Sequence, residues 1–225
     1  MSRRQTLKAA GVAGLTVALL LTAAPATARE KTVPAEKLFM YLDKFLKVPA
    51  HERTRMRLRY VLRSEGKPMG DVKVALVEAS GARTSLPVGE DGEFERLPTL
   101  AQLDGKAKVV VDVPADKKFG ISMSPAPALK LSQEYDARDV ALAVTESNAV
   151  MRKAAGPALA LMVPKFAGIG FIGSQNGQVI FGDGRTEALP IVGGVPVFLP
   201  NTMKGATRIK LARVPTRLGF DDGKK

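Results

Sequence analysis

Gly168-Ile169-Gly170-Phe171-Ile172-Gly173 has the glycine spacing of a dinucleotide-binding turn, in which close backbone approach cradles a pyrophosphate. That chemistry needs a strand before the glycines and a helix after them whose N-terminus faces the phosphates. Pro164 precedes this pattern and the turn-forming Ser174-Gln175-Asn176-Gly177 follows it, so the segment reads as a glycine-rich strand and no nucleotide cofactor is expected. Ser64-Glu65-Gly66-Lys67 has the SxxK spacing by which one helical turn brings a lysine onto a serine hydroxyl. Gly66 and Pro68 place it in a hairpin turn instead, and Ser174 lacks a GxSxG frame.

Composition removes further chemistries. The chain has no cysteine, which excludes disulfides, thiolate metal sites and a cysteine nucleophile, and its single histidine, His51, excludes HExxH and three-histidine zinc sites. Asp91, Asp104 and Asp183 each precede a glycine and read as turn residues before they read as a glycosidase pair. Gly182-Asp183-Gly184-Arg185 lacks the ligand spacing of a calcium loop. No catalytic residue, metal ligand or cofactor is expected. With no tryptophan and three tyrosines, the chain also offers few aromatic faces on which sugars or bases stack.

The remaining signal is a ladder of arginines at Arg53, Arg55, Arg57 and Arg59, with Arg63 beyond. On a strand these side chains leave one face about 6.8 Å apart. Their mutual repulsion in water is about 0.6 kcal/mol per neighbouring pair before screening, which a solvated face tolerates. Guanidinium forks suit phosphate and carboxylate, so Arg55, Arg57, Arg59 and Arg63 are the candidate anion-binding residues. A solvated face, or one paired across a sheet with Glu93 and Glu95, is the other reading. The alternation sends Met56, Leu58, Tyr60 and Leu62 into the core and the guanidinium groups outward.

These residues must be positioned by elements whose period changes along the chain. Val33-Pro34 opens a helix pattern through Leu38, Phe39, Leu42, Phe45 and Leu46 that Pro49 stops. A period of two follows from Arg55, with a turn at 66–70 leading into Val72–Val77 as a β-hairpin. Further strand-like runs lie at 83–88, 93–97, 107–113 and 119–123. Asp136 then caps a helix that ends in Arg152, Lys153 and Gly156-Pro157, with Val140, Ala143, Val144, Ser147 and Met151 on one face. The apolar stretch 154–173 is broken by two prolines and several glycines. It reads as a buried helix followed by a strand rather than a membrane span.

The chain also repeats itself. Gly81 to Val88 is echoed by Gly184 to Ile191, and each copy continues through a second Leu-Pro, a glycine, an alternating strand and a Val-Pro pair. Leu86 is expected to overlay Leu189, Val113 to overlay Val214, and Gly120-Ile121 to match Gly219-Phe220. The expected fold class is α+β, mainly antiparallel sheet built from two related β units, with an N-terminal and a central helix; the units either pack on one another as a β-sandwich or share the helices as two domains.

Residues 1–28 look like a cleaved export signal: a basic start, an apolar run at 11–22 and Ala26-Thr27-Ala28 before the cut. Ser2-Arg3-Arg4-Gln5-Thr6-Leu7-Lys8 resembles the twin-arginine motif, with Thr6 in place of the usual phenylalanine; the general secretory route is the alternative. The leader holds three cations and no carboxylate, leaving +9 of the formal +12 on the mature chain. The expected organisation is a signal at 1–28, an N-terminal helix and first β unit at 29–130, a helical connection at 131–165, a second β unit at 166–220 and a disordered basic tail at 221–225. The expected function is a periplasmic or extracellular, non-catalytic protein binding an anionic envelope polymer, a lipid surface or a protein partner, with no transmembrane span after cleavage. An exported hydrolase with a hidden serine or carboxylate site, and a structural accessory protein, are the alternatives.

Overall fold

The computed structural model describes residues 29–114 and 116–223. The export signal expected at 1–28 lies outside the described residues. β1 (Arg29–Pro34) leads into α1 (Ala35–Leu38) and α2 (Leu42–Lys47). The single helix expected between Pro34 and Pro49 is therefore broken, and a strand precedes it. The break is at Tyr41, whose φ of 67° lies in the left-handed region that side chains disfavour. Packing holds it there: Phe39 turns into the core edge-on to Tyr60 and Phe94, with ring centroids 5.2 and 5.1 Å away. The Tyr60 hydroxyl donates to the Met40 carbonyl at 2.7 Å.

The chain continues through β2 (Met56–Ser64), β3 (Lys67–Pro68), β4 (Val74–Val77), β5 (Arg83–Ser85), α3 (Leu100–Asp104), β6 (Lys108–Val113) and β7 (Gly120–Pro127). These strands form two antiparallel sheets, in the orders β1-β6-β4-β5 and β3-β2-β7. The hairpin expected between β2 and β4 does not form: β2 pairs with β7, whereas β4 pairs with β5 and β6 in the other sheet. The two sheets enclose one core, to which β2 contributes Leu58, Tyr60 and Leu62 and the other sheet Leu76, Val109 and Val111.

β8 (Glu134–Asp136) precedes α4 (Ala137–Ala155), so the expected connection begins with a strand, which pairs with β14 (Ala206–Leu211). Then come β9 (Gly168–Ile172), β10 (Gly177–Phe181), β11 (Thr186–Ala188), β12 (Ile191–Val192), β13 (Val195–Phe198) and, after β14, β15 (Arg217–Asp221). They too form two antiparallel sheets, ordered β11-β10-β14-β8 and β12-β13-β9-β15, around a second core. The expected disordered tail begins inside β15, where the Asp221 carbonyl accepts from the Ala167 amide at 2.7 Å. Val113 and Val214 do not correspond: Val113 is 3% exposed at the end of β6, and Val214 is 50% exposed between β14 and β15.

α4 joins the two cores. The Asp136 carboxylate accepts from the Arg138 and Asp139 amides at 2.7 and 3.3 Å, satisfying first-turn donors, and Gly156 at φ 76° ends the helix. Its first turns bury Val140, Ala143 and Val144 in the second core, and further along Val150 enters the first. The spacing keeps one apolar stripe inward for the whole length. No helix of the described residues is long and apolar enough to cross a membrane.

Candidate functional site

The structure engages the arginine ladder with the protein's own acceptors. Arg57 and Arg59 converge on Glu93, Arg57 Nη1 donating to Oε1 at 2.6 Å and Arg59 Nε to Oε2 at 2.7 Å. Burial works to raise the Glu93 carboxyl, but the hydrogen bonds and charges of Arg59 and Arg57 outweigh it and hold the group below the usual carboxylate range. Arg55 reaches across to α4, 3.2 Å from Asp139 and 3.4 Å from Glu146. Arg63 donates to Ser122 Oγ and the Gly66 carbonyl at 2.8 and 2.7 Å. All four guanidinium groups therefore have acceptors within the protein, and of the two carboxylates expected as cross-sheet partners it is Glu93 that pairs with Arg57 and Arg59. The expected alternation of burial does not hold along β2. Arg59 is only 7% exposed and Val61 is buried too, because both faces of the strand are covered at its centre.

The other candidate motifs also resolve into structure. β9 lies between β13 and β15, and a turn rather than a helix follows Gly173. A side chain at Gly168 would collide with the Phe198 carbonyl, so this glycine lets two strands approach. Ser174 Oγ donates to the Asn176 carbonyl and Ser64 Oγ to the Lys118 carbonyl. His51 Nε2 lies 3.9 Å from Glu52 on an exposed side chain. Among the described residues no group of three potential ligands could hold a metal ion.

The concave site with a distinct character is an apolar pocket of about 310 Å³ that the sequence did not reveal. Five segments build it. α2 supplies Lys44 and Phe45, β2 Leu58, β7 Met123, the end of α4 Met151 and Ala154, and the following loop Leu159 and Met162. Tyr41 stands at the rim, and the Lys44 ammonium lies 5.5 Å from its ring centroid. Lys44 is the one charged residue of the lining, and no carboxylate joins it.

The stretch 154–173 was expected to be a buried helix followed by a strand, and the loop at 157–165 is not helical. Instead it makes turns, with the Leu159 and Ala160 amides donating to the Gly156 carbonyl at 3.2 and 3.0 Å. Leu161 is 98% and Met162 78% exposed. Pro157 and Pro164 bracket the segment and were the available sign that no helix continues there. The far end is fixed by Asn148 of α4, which bonds both backbone groups of Phe166, and by Phe166 stacking on Phe220 with centroids 4.1 Å apart.

No curated protein and no solved structure matches the chain. A match to a family does exist over residues 27–172, a span that takes in every pocket residue from Tyr41 to Pro164. On that match the chain belongs to the family described as protein of unknown function, DUF2987.

Proposed function

We propose that this is an exported, non-catalytic protein that binds an anionic amphiphile of the envelope by its apolar chain. The carrying observation is the pocket, apolar on all sides but for Lys44, whose charge has no carboxylate in the lining to neutralise it. Its 310 Å³ offers room for about ten groups the size of a water molecule at roughly 30 Å³ each, which suits a medium acyl chain. Burying about seven methylenes at roughly 0.8 kcal/mol each supports an affinity on the order of tens of micromolar. An anionic headgroup at Lys44 adds to this and sets orientation. Export rests on the basic, apolar and small-residue pattern of 1–28.

Calorimetric titration with dodecanoate, and with dodecanol as a neutral comparator, tests this reading. Dodecanoate should bind the chain beginning at Arg29 more tightly than dodecanol does. Ala154→Phe, which fills the pocket, should abolish binding, and Lys44→Gln should reduce the preference for dodecanoate. Binding unchanged in Ala154→Phe would place the ligand elsewhere, and no heat from either ligand would end the proposal.

We infer further that the two β units arose by duplication. The orders β1-β6-β4-β5 and β8-β14-β10-β11 coincide strand for strand, and in each unit the first of these strands runs directly into a helix. Leu86 donates its amide to the Val74 carbonyl and Leu189 donates its own to the Gly177 carbonyl, both at 2.9 Å. Leu76 faces Thr84 and Val109, as Val179 faces Glu187 and Ile209. A crystal structure with β4 and β10 at different places in their sheets would overturn the inference.

A further inference from the structure

We propose that the loop between Gly156 and Phe166 docks this protein on an anionic lipid surface. Leu161, 98% exposed, and Met162, 78% exposed, sit at the tip of a segment whose two ends are fixed by the helix stop at Gly156 and by Asn148. The Met162 amide donates to the Leu159 carbonyl at 2.9 Å, so the tip is itself a closed turn. Large apolar side chains on a pinned turn expose surface by construction. Tyr41, more than half exposed, shares the pocket lining with Leu159 and Met162, and Met40 precedes it, so the apolar patch extends beyond the loop. Exposed apolar surface of this kind, rimmed by charge, marks a place that meets a membrane or another protein.

The charge around the patch selects the lipid surface. From Glu146 to Asp183 the chain carries no carboxylate, while Arg152, Lys153 and Lys165 fall within that span. Arg152 and Lys165 are exposed and have no carboxylate partner among the described residues. Arg152 lies one helical turn before Ala155, and Lys165 directly follows Pro164, both of which line the pocket. Lys44 adds a further cation. The nearby carboxylates are engaged, Asp43 with Lys47 and Glu52 with Lys153. An apolar tip flanked by cations fits an interface in which leucine and methionine pass below anionic headgroups while arginine and lysine remain among them. Docked in this way, the mouth of the pocket faces acyl chains. That consequence rests on the pocket reading, whereas the docking itself does not.

Vesicle flotation tests the proposal, using the chain from Arg29 onward, which holds both cores complete. Phosphatidylcholine vesicles are compared with vesicles of equal phosphatidylcholine and phosphatidylglycerol. The protein should float with the anionic vesicles and progressively less as salt rises. Leu161→Asp should weaken binding by about tenfold or more, since it puts a charge where a methylene surface entered the interface. Arg152→Gln with Lys165→Gln should remove the preference for anionic vesicles. All these side chains are exposed, so the circular-dichroism melts should match wild type. Leu161 does not line the pocket, so Leu161→Asp should leave dodecanoate affinity unchanged. Failed dodecanoate binding with intact flotation would remove the pocket reading alone. The docking proposal is overturned if wild type ignores both vesicle types or if Leu161→Asp floats equally. It is also overturned if wild type instead forms a concentration-dependent dimer that Leu161→Asp abolishes.

Discussion

Asn148 and Phe166 close a reciprocal pair of hydrogen bonds: the Asn148 amide donates to the Phe166 carbonyl at 2.9 Å, and the Phe166 amide donates to Asn148 Oδ1 at 2.8 Å. One buried side chain thereby satisfies both backbone groups at the point where the exposed loop returns to the sheet. Asn148→Ala leaves a donor and an acceptor unpaired in a confined place. The expected cost is about 1–3 kcal/mol, read from urea unfolding. Hydrogen exchange should accelerate at 157–166 before the rest of the chain responds, because the loop loses its far anchor. Uniform acceleration over all elements would mean that the pair serves global stability alone.

Arg59 and Arg57 share Glu93 but differ in burial, which separates the consequences of removing each. Arg59→Ala leaves a largely buried carboxylate with one exposed partner, and the expected loss is about 2–4 kcal/mol. Arg57→Ala removes a half-exposed partner and should cost within about 1 kcal/mol. Comparable unfolding midpoints for the two variants would contradict the burial argument.

The same carboxylate makes an acid-side prediction. Its folded pKa lies below the unfolded value of 4.5, so its stabilising contribution is present above that value and is lost as pH falls through the lower, folded value. The slope of stability against pH below about 4.5 should be shallower in Arg59→Ala than in wild type, in urea titrations at several acidic pH values. Parallel slopes would mean that Glu93 is not the group being titrated.

α4 was legible because its signals are local: Asp136 before the helix, Arg152 and Lys153 at its end, and Gly156 with Pro157 to stop it. The arginines were legible in part: pairing with Glu93 across a sheet was one of two readings of the ladder, and the bridge between Val61 and Glu93 that selects it joins residues far apart in the chain. The pocket was not legible, since its lining is gathered from Tyr41, Leu58, Met123, Met151 and Leu159 on separate segments. Leu161 shows the deepest limit of composition. An apolar residue reads the same whether it is destined for a core or for an interface, and only its placement on a pinned turn distinguishes them.

Tyr60 allows an alkaline test. Burial, and then the charge of Asp43, push its hydroxyl well above the ordinary tyrosine range, and burial likewise raises Tyr135. A raised folded pKa means that stability is full below the unfolded value near 10.0 and declines as pH rises beyond it. Tyr60 should therefore ionise only as the chain unfolds, giving tyrosinate absorbance that tracks the loss of circular dichroism. Tyr60→Phe loses the bond to the Met40 carbonyl, costs about 1 kcal/mol and reduces that coincident step to the share contributed by Tyr135. A Tyr60 signal appearing while the circular dichroism is native would refute the assignment.

The glycines of β9 offer a decisive contrast between sheet packing and phosphate binding. Gly168 is buried, and a methyl group there would meet the Phe198 carbonyl and the Leu199 side chain. The carbonyl belongs to the neighbouring strand and cannot rotate aside as a flexible side chain would, so accommodating the methyl group must part β9 from β13. Gly168→Ala should therefore cost about 2 kcal/mol or more by urea unfolding. Gly120, at the start of β7, is the matched control, because a methyl group built there meets nothing within 4 Å. Gly120→Ala should be neutral or slightly stabilising, since alanine restricts the unfolded chain without straining the strand. If the two substitutions cost the same, close approach is not what requires glycine at 168. If Gly168→Ala folds as wild type and instead abolishes binding of a nucleotide, the phosphate reading of 168–173 is restored.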